Sequence, residues 1–129
     1  MDLEEIDAKD LKPDMSAITV TDKLIDAINQ GHYDLIICNF ANPDMVGHTG
    51  NENATKQAIS TIDTCVRHII DALTAVGGEA LITADHGNAE LMFDKKTGQP
   101  HTAHTNNWVP FIYVGRESRC RDQPGALDD

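Results

Sequence analysis

Positively charged residues are scarce in this sequence. Its 129 residues include 10 lysines and arginines against 21 aspartates and glutamates, which gives a formal net charge of -11. This balance argues against a surface that binds nucleic acid or an anionic membrane. It remains compatible with a phosphorylated substrate, because bound metal cations would dominate the electrostatic field around that substrate.

Cysteines and long apolar runs are also scarce. The three cysteines, Cys38, Cys65 and Cys120, show no C-x-x-C spacing, so neither a disulfide framework nor a zinc ribbon is expected. Cys38 and Cys65 fall within apolar patterns and are predicted to be small core residues. The sequence has no run of about 18 apolar residues and no signal-peptide core. We therefore expect a cytoplasmic protein of at most one domain.

Three short apolar runs are predicted to be strands of an α/β sheet, over residues 34–40, 79–84 and 109–114. Between the first two, apolar residues at helical spacing predict a long helix that Asn53 can cap and that Gly77 and Gly78 end. This strand, helix, strand order predicts parallel strands joined by a right-handed crossover.

The two ends of the chain carry weaker signals. A first helix is predicted to start near Thr19 or Thr21 and to stop at Gly31. The polar residues 1–16 are expected to form an irregular approach segment, and the tail from Gly115 onwards shows no closing element. Three strands and two helices would leave a parallel sheet poorly covered, which suggests a piece of a larger protein.

Residue types that bind metals lie beside each predicted strand. Asp44 and His48 follow the first strand, Asp85 and His86 follow the second, and a His-Thr-Ala-His segment, residues 101–104, precedes the third. The carboxyl ends of parallel strands meet at one edge of a sheet, where ligands bind. An isolated Asp-His pair is more often a cap beside a solvated histidine, but three such loops favour a metal site. Mixed carboxylate and imidazole donors suit manganese, zinc or iron(II) better than calcium.

Three stretches resemble the cofactor-independent phosphoglycerate mutases of the alkaline phosphatase superfamily. These are residues 39–50 (NFANPDMVGHTG), residues 83–90 (TADHGNAE), and residues 101–105 (HTAHT) together with 109–112 (VPFI). The Asp-His-Gly element is shared across the superfamily, whereas the N-P-D-M-V-G-H and N-A-E forms are specific to the mutases. Residues 10–17 also resemble a family segment, so the resemblance extends from about Asp10 onwards.

The resemblance implies a fold and a reaction. The fold would be α/β, a partial alkaline-phosphatase-like three-layer sandwich with a mostly parallel sheet. Residues 1–129 would form a fragment of the metal-binding phosphatase-like domain, truncated at both ends, of a monomeric protein. The reaction would interconvert 2-phosphoglycerate and 3-phosphoglycerate, in glycolysis and gluconeogenesis, through a phosphoserine intermediate at a site with two Mn²⁺ ions.

The resemblance also implies roles for particular residues. One Mn²⁺ would be held by Asp44, His48 and His104, and the other by Asp85 and His86. The second histidine of the His-Thr-Ala-His segment matches the family ligand, so His101 is expected to lie outside the ligand set. No catalytic residue is assigned, because none of the serines that could act as nucleophile stands in the family's nucleophile context: Ser16, Ser60 and Ser118. The isolated chain is therefore expected to be inactive.

Two alternatives remain open from the sequence. A metal-dependent phosphatase or phosphopentomutase of the same superfamily would share Asp-His-Gly, but it would not be expected to show the Asn88-Ala89-Glu90 form. A non-catalytic metal-binding or scaffold fragment is the second alternative, and weak binding of manganese at a single site without turnover would favour it.

Overall fold

A computed structural model of the chain describes residues 13–116, with side chains from Ser16 onwards. The predicted approach segment before residue 13, Ser118, Cys120 and the tail after Arg116 lie outside the described residues. The helices are α1 (Pro13–Gln30), α2 (Asn42–Gly47) and α3 (Glu52–Val76). The strands are β1 (Ala80–Thr83), β2 (Phe93–Asp94), β3 (Gln99–Pro100) and β4 (Phe111–Val114).

The core of the described residues lies where α1 packs against α3. Small side chains dominate the contact, since Ala17 and Ala58 are 1% and 2% exposed and Cys65 is also buried. Buried threonines fit because their hydroxyls find backbone acceptors: Thr21 donates to the carbonyl of Ala17 at 2.8 Å. The prediction of a core role is confirmed for Cys65.

The first helix begins earlier than predicted. It opens at Pro13, so the prediction that residues 13–16 are irregular is wrong, as is the cap at Thr19 or Thr21. Proline is tolerated in a first helical turn because the N–H that it lacks would be unpaired there anyway. The end of the helix is as predicted, with Gly31 directly after Gln30.

The long helix α3 is confirmed, but its cap is not the predicted residue. The side chain of Asn51, rather than Asn53, accepts a hydrogen bond from the backbone N–H of Ala54 at 3.0 Å. Asn53 lies one residue inside the helix. At the other end, Gly77 adopts φ 72°, a left-handed conformation that glycine reaches without steric cost, and its N–H bonds back into the last turn.

The sheet differs from the predicted one. Strand β1 pairs with β4 in the antiparallel direction, with Ala80 opposite Val114 and Thr83 opposite Phe111. The only other sheet in residues 13–116 is the antiparallel hairpin of β2 and β3 around the turn at residues 95–98. The predicted mostly parallel sheet is therefore not confirmed, although two of the three predicted strand segments do form strands.

The first predicted strand, residues 34–40, has no strand pairing in the structure. Its apolar side chains are largely open, with Leu35 71% and Ile37 86% exposed. Cys38 is exposed as well, so its predicted core role is wrong. An apolar run predicts an extended, buried segment, but a strand also needs a neighbour to take its backbone hydrogen bonds.

No helix within residues 13–116 is both long and apolar enough to cross a membrane.

Candidate metal centre

Helix α2 brings the first carboxylate and imidazole together. Asp44 and His48 are four residues apart, and the backbone N–H of His48 donates to the carbonyl of Asp44 at 3.1 Å. Residues at this spacing lie on one face of a helical turn. The Nε2 atom of His48 is consequently 3.2 Å from Oδ1 of Asp44.

The loop after β1 supplies the next candidates. His86 follows the strand in a bend, and its Nε2 lies 3.9 Å from Oδ1 of Asp44. Asp85 is at the rim: its side chain is 79% exposed, and its Oδ1 is 3.6 Å from Nε2 of His86. The β1 strand thus delivers His86 to the Asp44 carboxylate but leaves Asp85 facing outwards.

His104 completes the cluster from a different segment. Its Nε2 is 3.1 Å from Oδ1 of Asp44 and 3.1 Å from Nε2 of His48. Its ring also stacks on that of His86, with centroids 3.6 Å apart and an interplanar angle of 17°. Three imidazoles from three chain segments therefore surround one carboxylate oxygen.

The protonation pattern of this cluster fits a bound cation. His48 places Nδ1 against the carbonyl oxygen of Thr102, which can only accept a hydrogen bond, so Nδ1 must carry the proton. In the neutral ring Nε2 is then a lone-pair acceptor, yet it faces Oδ1 of Asp44, which is also an acceptor. A second proton on the ring or a metal ion between the two atoms would remove this opposition, and a ligand histidine commonly donates its other N–H to a backbone carbonyl.

The donor atoms also lie close enough to share an ion. One ligand atom from each of Asp44, His86 and His104 falls within 4.8 Å of the others. His48 stands beside this group through its contacts with Asp44 and His104. The residues fit a divalent metal.

Asn88 holds the central carboxylate. Its Nδ2 donates to Oδ1 of Asp44 at 2.7 Å, and the Asn88 side chain is buried. Burial has the largest single effect on the pKa of Asp44 and would raise it. The hydrogen bond from Asn88 and the charges of the three imidazoles outweigh that effect and lower the pKa below its usual value. Asp44 is thereby kept ionised, as a metal ligand must be.

His101 is not among the residues whose ligand atoms lie together around Asp44. Its backbone N–H donates to the carbonyl of Met92 at 2.9 Å, which extends the β2 and β3 hairpin by a further contact. The Nδ1 atom of His101 is buried without a hydrogen-bond partner. The His101 backbone therefore bonds to the hairpin, whereas the His104 side chain lies against Asp44.

A second carboxylate, unassigned from the sequence, joins the two loops. Oε2 of Glu90 accepts from the backbone N–H of Asn88 at 2.7 Å, and Oε1 accepts from Nδ2 of Asn107 at 3.0 Å and from the hydroxyl of Thr105. Asn88 and Glu90 belong to the mutase-specific N-A-E motif, and this motif was the only feature of the sequence analysis that pointed to them. Their partners are up to 44 residues away in the chain, a separation that no local pattern reveals.

A glycine lies at one point of this junction. A backbone bond from Thr105 N–H to the Gly87 carbonyl, 2.7 Å, closes the loops on each other. A Cβ atom at Gly87 would collide with the Thr105 hydroxyl and with Oε1 of Glu90. A larger residue at position 87 would therefore require the Thr105 and Glu90 side chains to move.

The sequence along nearly its whole length defines the class of protein. The chain belongs to the Metalloenzyme superfamily, whose family profile matches residues 3–127. The resemblance found in the motifs is also confirmed. The chain is similar to proteins named 2,3-bisphosphoglycerate-independent phosphoglycerate mutase, with 67% identity to that of Coxiella burnetii and 62% to that of Thiobacillus denitrificans, each over 120 residues and 93% of this chain. The protein of the same name from Nitrosococcus oceani is 54% identical over 125 residues, or 97% of this chain.

The alignment covers nearly all of this chain but only part of each relative. The aligned residues span 23% of the Coxiella and Thiobacillus proteins and 24% of the Nitrosococcus protein. These relatives are isomerases by name, and the chain corresponds to about a quarter of their length.

Proposed function

We propose that this chain carries the metal ligands of a 2,3-bisphosphoglycerate-independent phosphoglycerate mutase, which interconverts 2-phosphoglycerate and 3-phosphoglycerate. The observation that carries the proposal is the convergence of His48, His86 and His104 on Oδ1 of Asp44. Relatives that are up to 67% identical are named phosphoglycerate mutases, and this name supports the proposed interconversion of the two phosphoglycerates. Small phosphorylated substrates would then be the partners, and a monomeric whole protein remains a prediction.

The proposed ligand sets keep the division that the family resemblance implies. Asp44, His48 and His104 would hold one Mn²⁺, and Asp85 and His86 would hold the other. The mutual contacts of Asp44, His48 and His104, all between 3.1 and 3.2 Å, support the first set. The 3.6 Å contact between Asp85 and His86 supports the second set, and His86 also lies 3.9 Å from Asp44 of the first set.

The ions would supply charge to the reaction. When bound, they would activate the attacking oxygen, stabilise the leaving one and offset the charge that develops on the transferring phosphoryl group. The chain's own residues orient this site. Asn88 keeps the Asp44 carboxylate ionised and fixed, while the Thr102 carbonyl holds the His48 ring in the tautomer whose Nε2 is free to bind.

The phosphoserine intermediate would form on a residue that we do not assign in this chain. The hydroxyl of Ser16 accepts from Nδ2 of Asn42 at 3.2 Å, and Ser60 is an exposed residue of α3. Ser118 lies outside the described residues. We therefore propose that the chain binds metal but does not turn over substrate alone.

The proposal is tested with the 129-residue chain and 3-phosphoglycerate, in the presence of Mn²⁺ and without added 2,3-bisphosphoglycerate. The expected result is Mn²⁺ binding, seen by calorimetry, without formation of 2-phosphoglycerate. Turnover would contradict the assignment of no nucleophile. Weak binding at a single site would favour a non-catalytic metal-binding fragment, and an absence of binding would contradict the metal centre itself.

A further inference from the structure

We propose that Glu90 is a positioning residue whose carboxylate fixes the loops of His86 and His104 to each other, so that both imidazoles reach Asp44. This inference rests on the proposed metal centre and adds to it a residue that binds neither metal nor substrate. We call Glu90 and its three donors, Asn88 N–H, Thr105 Oγ1–H and Asn107 Nδ2–H, the Glu90 clasp.

The clasp uses both oxygens of the carboxylate. Oε2 accepts from the loop that follows β1, and Oε1 accepts from the segment that follows His104. The three donors are neutral. An ionised carboxylate is acceptor-only and can serve all three, whereas a glutamine offers one acceptor oxygen and one donor group. Glutamine would replace the charge-assisted hydrogen bonds with weaker neutral ones, and it could keep partners in both loops only if the Thr105 hydroxyl and the Asn107 amide reversed their donor and acceptor roles.

The clasp lies next to the metal ligands on both sides. Thr105 directly follows His104, and Gly87 directly follows His86. A backbone hydrogen bond from Thr105 N–H to the Gly87 carbonyl joins the two positions. A shift of Thr105 therefore moves His104 out of its 3.6 Å stack on His86. The side chain of Asn88, whose N–H donates to Glu90, reaches Asp44, so the clasp connects to the central carboxylate as well.

Close packing leaves the clasp little freedom. The Gly87 backbone lies against both the Thr105 hydroxyl and Oε1 of Glu90, with no room for a Cβ atom. Groups that orient metal ligands in this way typically change metal affinity by about 10- to 100-fold when they are removed. The net lowering of the pKa of Glu90, in which these hydrogen bonds outweigh the larger opposing effect of burial, agrees with an ionised acceptor.

The first test compares Mn²⁺ affinity of the 129-residue chain with that of Glu90→Gln, by calorimetry. Glu79→Gln is the matched control, because it removes the same charge from an exposed residue before β1. We expect Glu90→Gln to weaken Mn²⁺ binding by about 10- to 100-fold and Glu79→Gln to leave it unchanged. Equal affinity in the two variants would overturn the positioning role while leaving the metal centre intact.

A second pair of variants tests the same contact from the other side. Thr105→Val removes the hydroxyl that donates to Glu90, and Thr105→Ser restores it. Weaker Mn²⁺ binding in the valine variant, recovered in the serine variant, is the expected result. This pair also decides the question if Glu90→Gln fails to fold, and equal binding by valine and serine variants would contradict the proposal.

A metal-free measurement separates failure of the clasp from failure of the proposed function. Amide exchange of Asn88 should be about tenfold faster in Glu90→Gln than in Glu79→Gln, the loss expected for one charge-assisted hydrogen bond. Unchanged exchange would refute the clasp whether or not metal binds. If the unsubstituted chain bound no Mn²⁺, the metal centre and the positioning role would both be wrong, even with the exchange difference present.

Discussion

Asp44 is the residue on which the site depends. Its Oδ1 lies within 4 Å of three imidazole Nε2 atoms and accepts a hydrogen bond from Asn88. The cluster combines a carboxylate oxygen with imidazole nitrogens, the donor types that suit a first-row divalent cation. The identity of these residues was predictable from the motifs, since each stands beside a predicted strand. The role of Asn88 was not, because its contact with Asp44 joins residues 44 positions apart.

The first prediction concerns the imidazoles. His48→Ala or His104→Ala should abolish the Mn²⁺ site shared with Asp44, because each removes a donor 3.1 to 3.2 Å from its Oδ1. Removing a group that merely hydrogen-bonds to a metal ligand typically lowers metal affinity by about 10- to 100-fold. We expect loss of a ligand itself to lower the Mn²⁺ affinity by at least this much. Calorimetric titration with Mn²⁺ measures it.

His101→Ala is the matched control for these variants. His101 belongs to the hairpin side of the same segment, and its backbone bonds to Met92. It should retain near-normal Mn²⁺ affinity. An equal loss in all three variants would refute the division between ligand and non-ligand histidines.

At the scale of the element, the helices were more predictable than the strands. The 3.6-residue period of apolar positions and the glycines at residues 31 and 77 are local signals, and both helix ends that they predict are present. Strand positions were also foreseen for β1 and β4. Their antiparallel pairing was not, because strand direction is decided by a partner far away in sequence.

The second prediction follows from the cap of α3. Asn51→Ala should lower the free energy of unfolding by about 1 kcal/mol, because it removes the side-chain acceptor for the N–H of Ala54. Asn53→Ala is the control: Asn53 is exposed within the helix, where alanine has the higher helix propensity. Urea unfolding followed by circular dichroism gives both values. A larger loss at position 53 than at position 51 would show that the cap is wrongly assigned.

At the scale of the whole molecule, a large apolar surface is open to solvent. Residues 34–40 expose Leu35 and Ile37, and one face of the β1 and β4 pair exposes Leu81 and its partner Tyr113. Exposed apolar side chains that form a contiguous patch would mark an interaction site or an aggregation hazard. The chain corresponds to about a quarter of the length of its relatives. We therefore expect the isolated chain to self-associate through its exposed apolar side chains.

The third prediction measures this surface. The chain should bind a hydrophobic dye such as ANS, and the double variant Leu35→Ser, Ile37→Ser should bind markedly less because it removes the two most open apolar side chains of residues 34–40. Ile59→Ser is the control, since Ile59 is a 45% exposed residue on α3 outside that run. Dye fluorescence that falls equally in both variants would contradict a surface centred on residues 34–40.

The sequence by itself determined the two long helices, the positions of two strands, the metal-ligand residue types and the family, because each follows from local periodicity or contiguous motifs. Only the tertiary structure decided the strand direction, the exposure of residues 34–40, the convergence of three imidazoles on Asp44 and the clasp of Glu90. These features depend on contacts between residues distant in the chain. Such contacts are set by which backbone and side-chain groups find partners after the elements have packed.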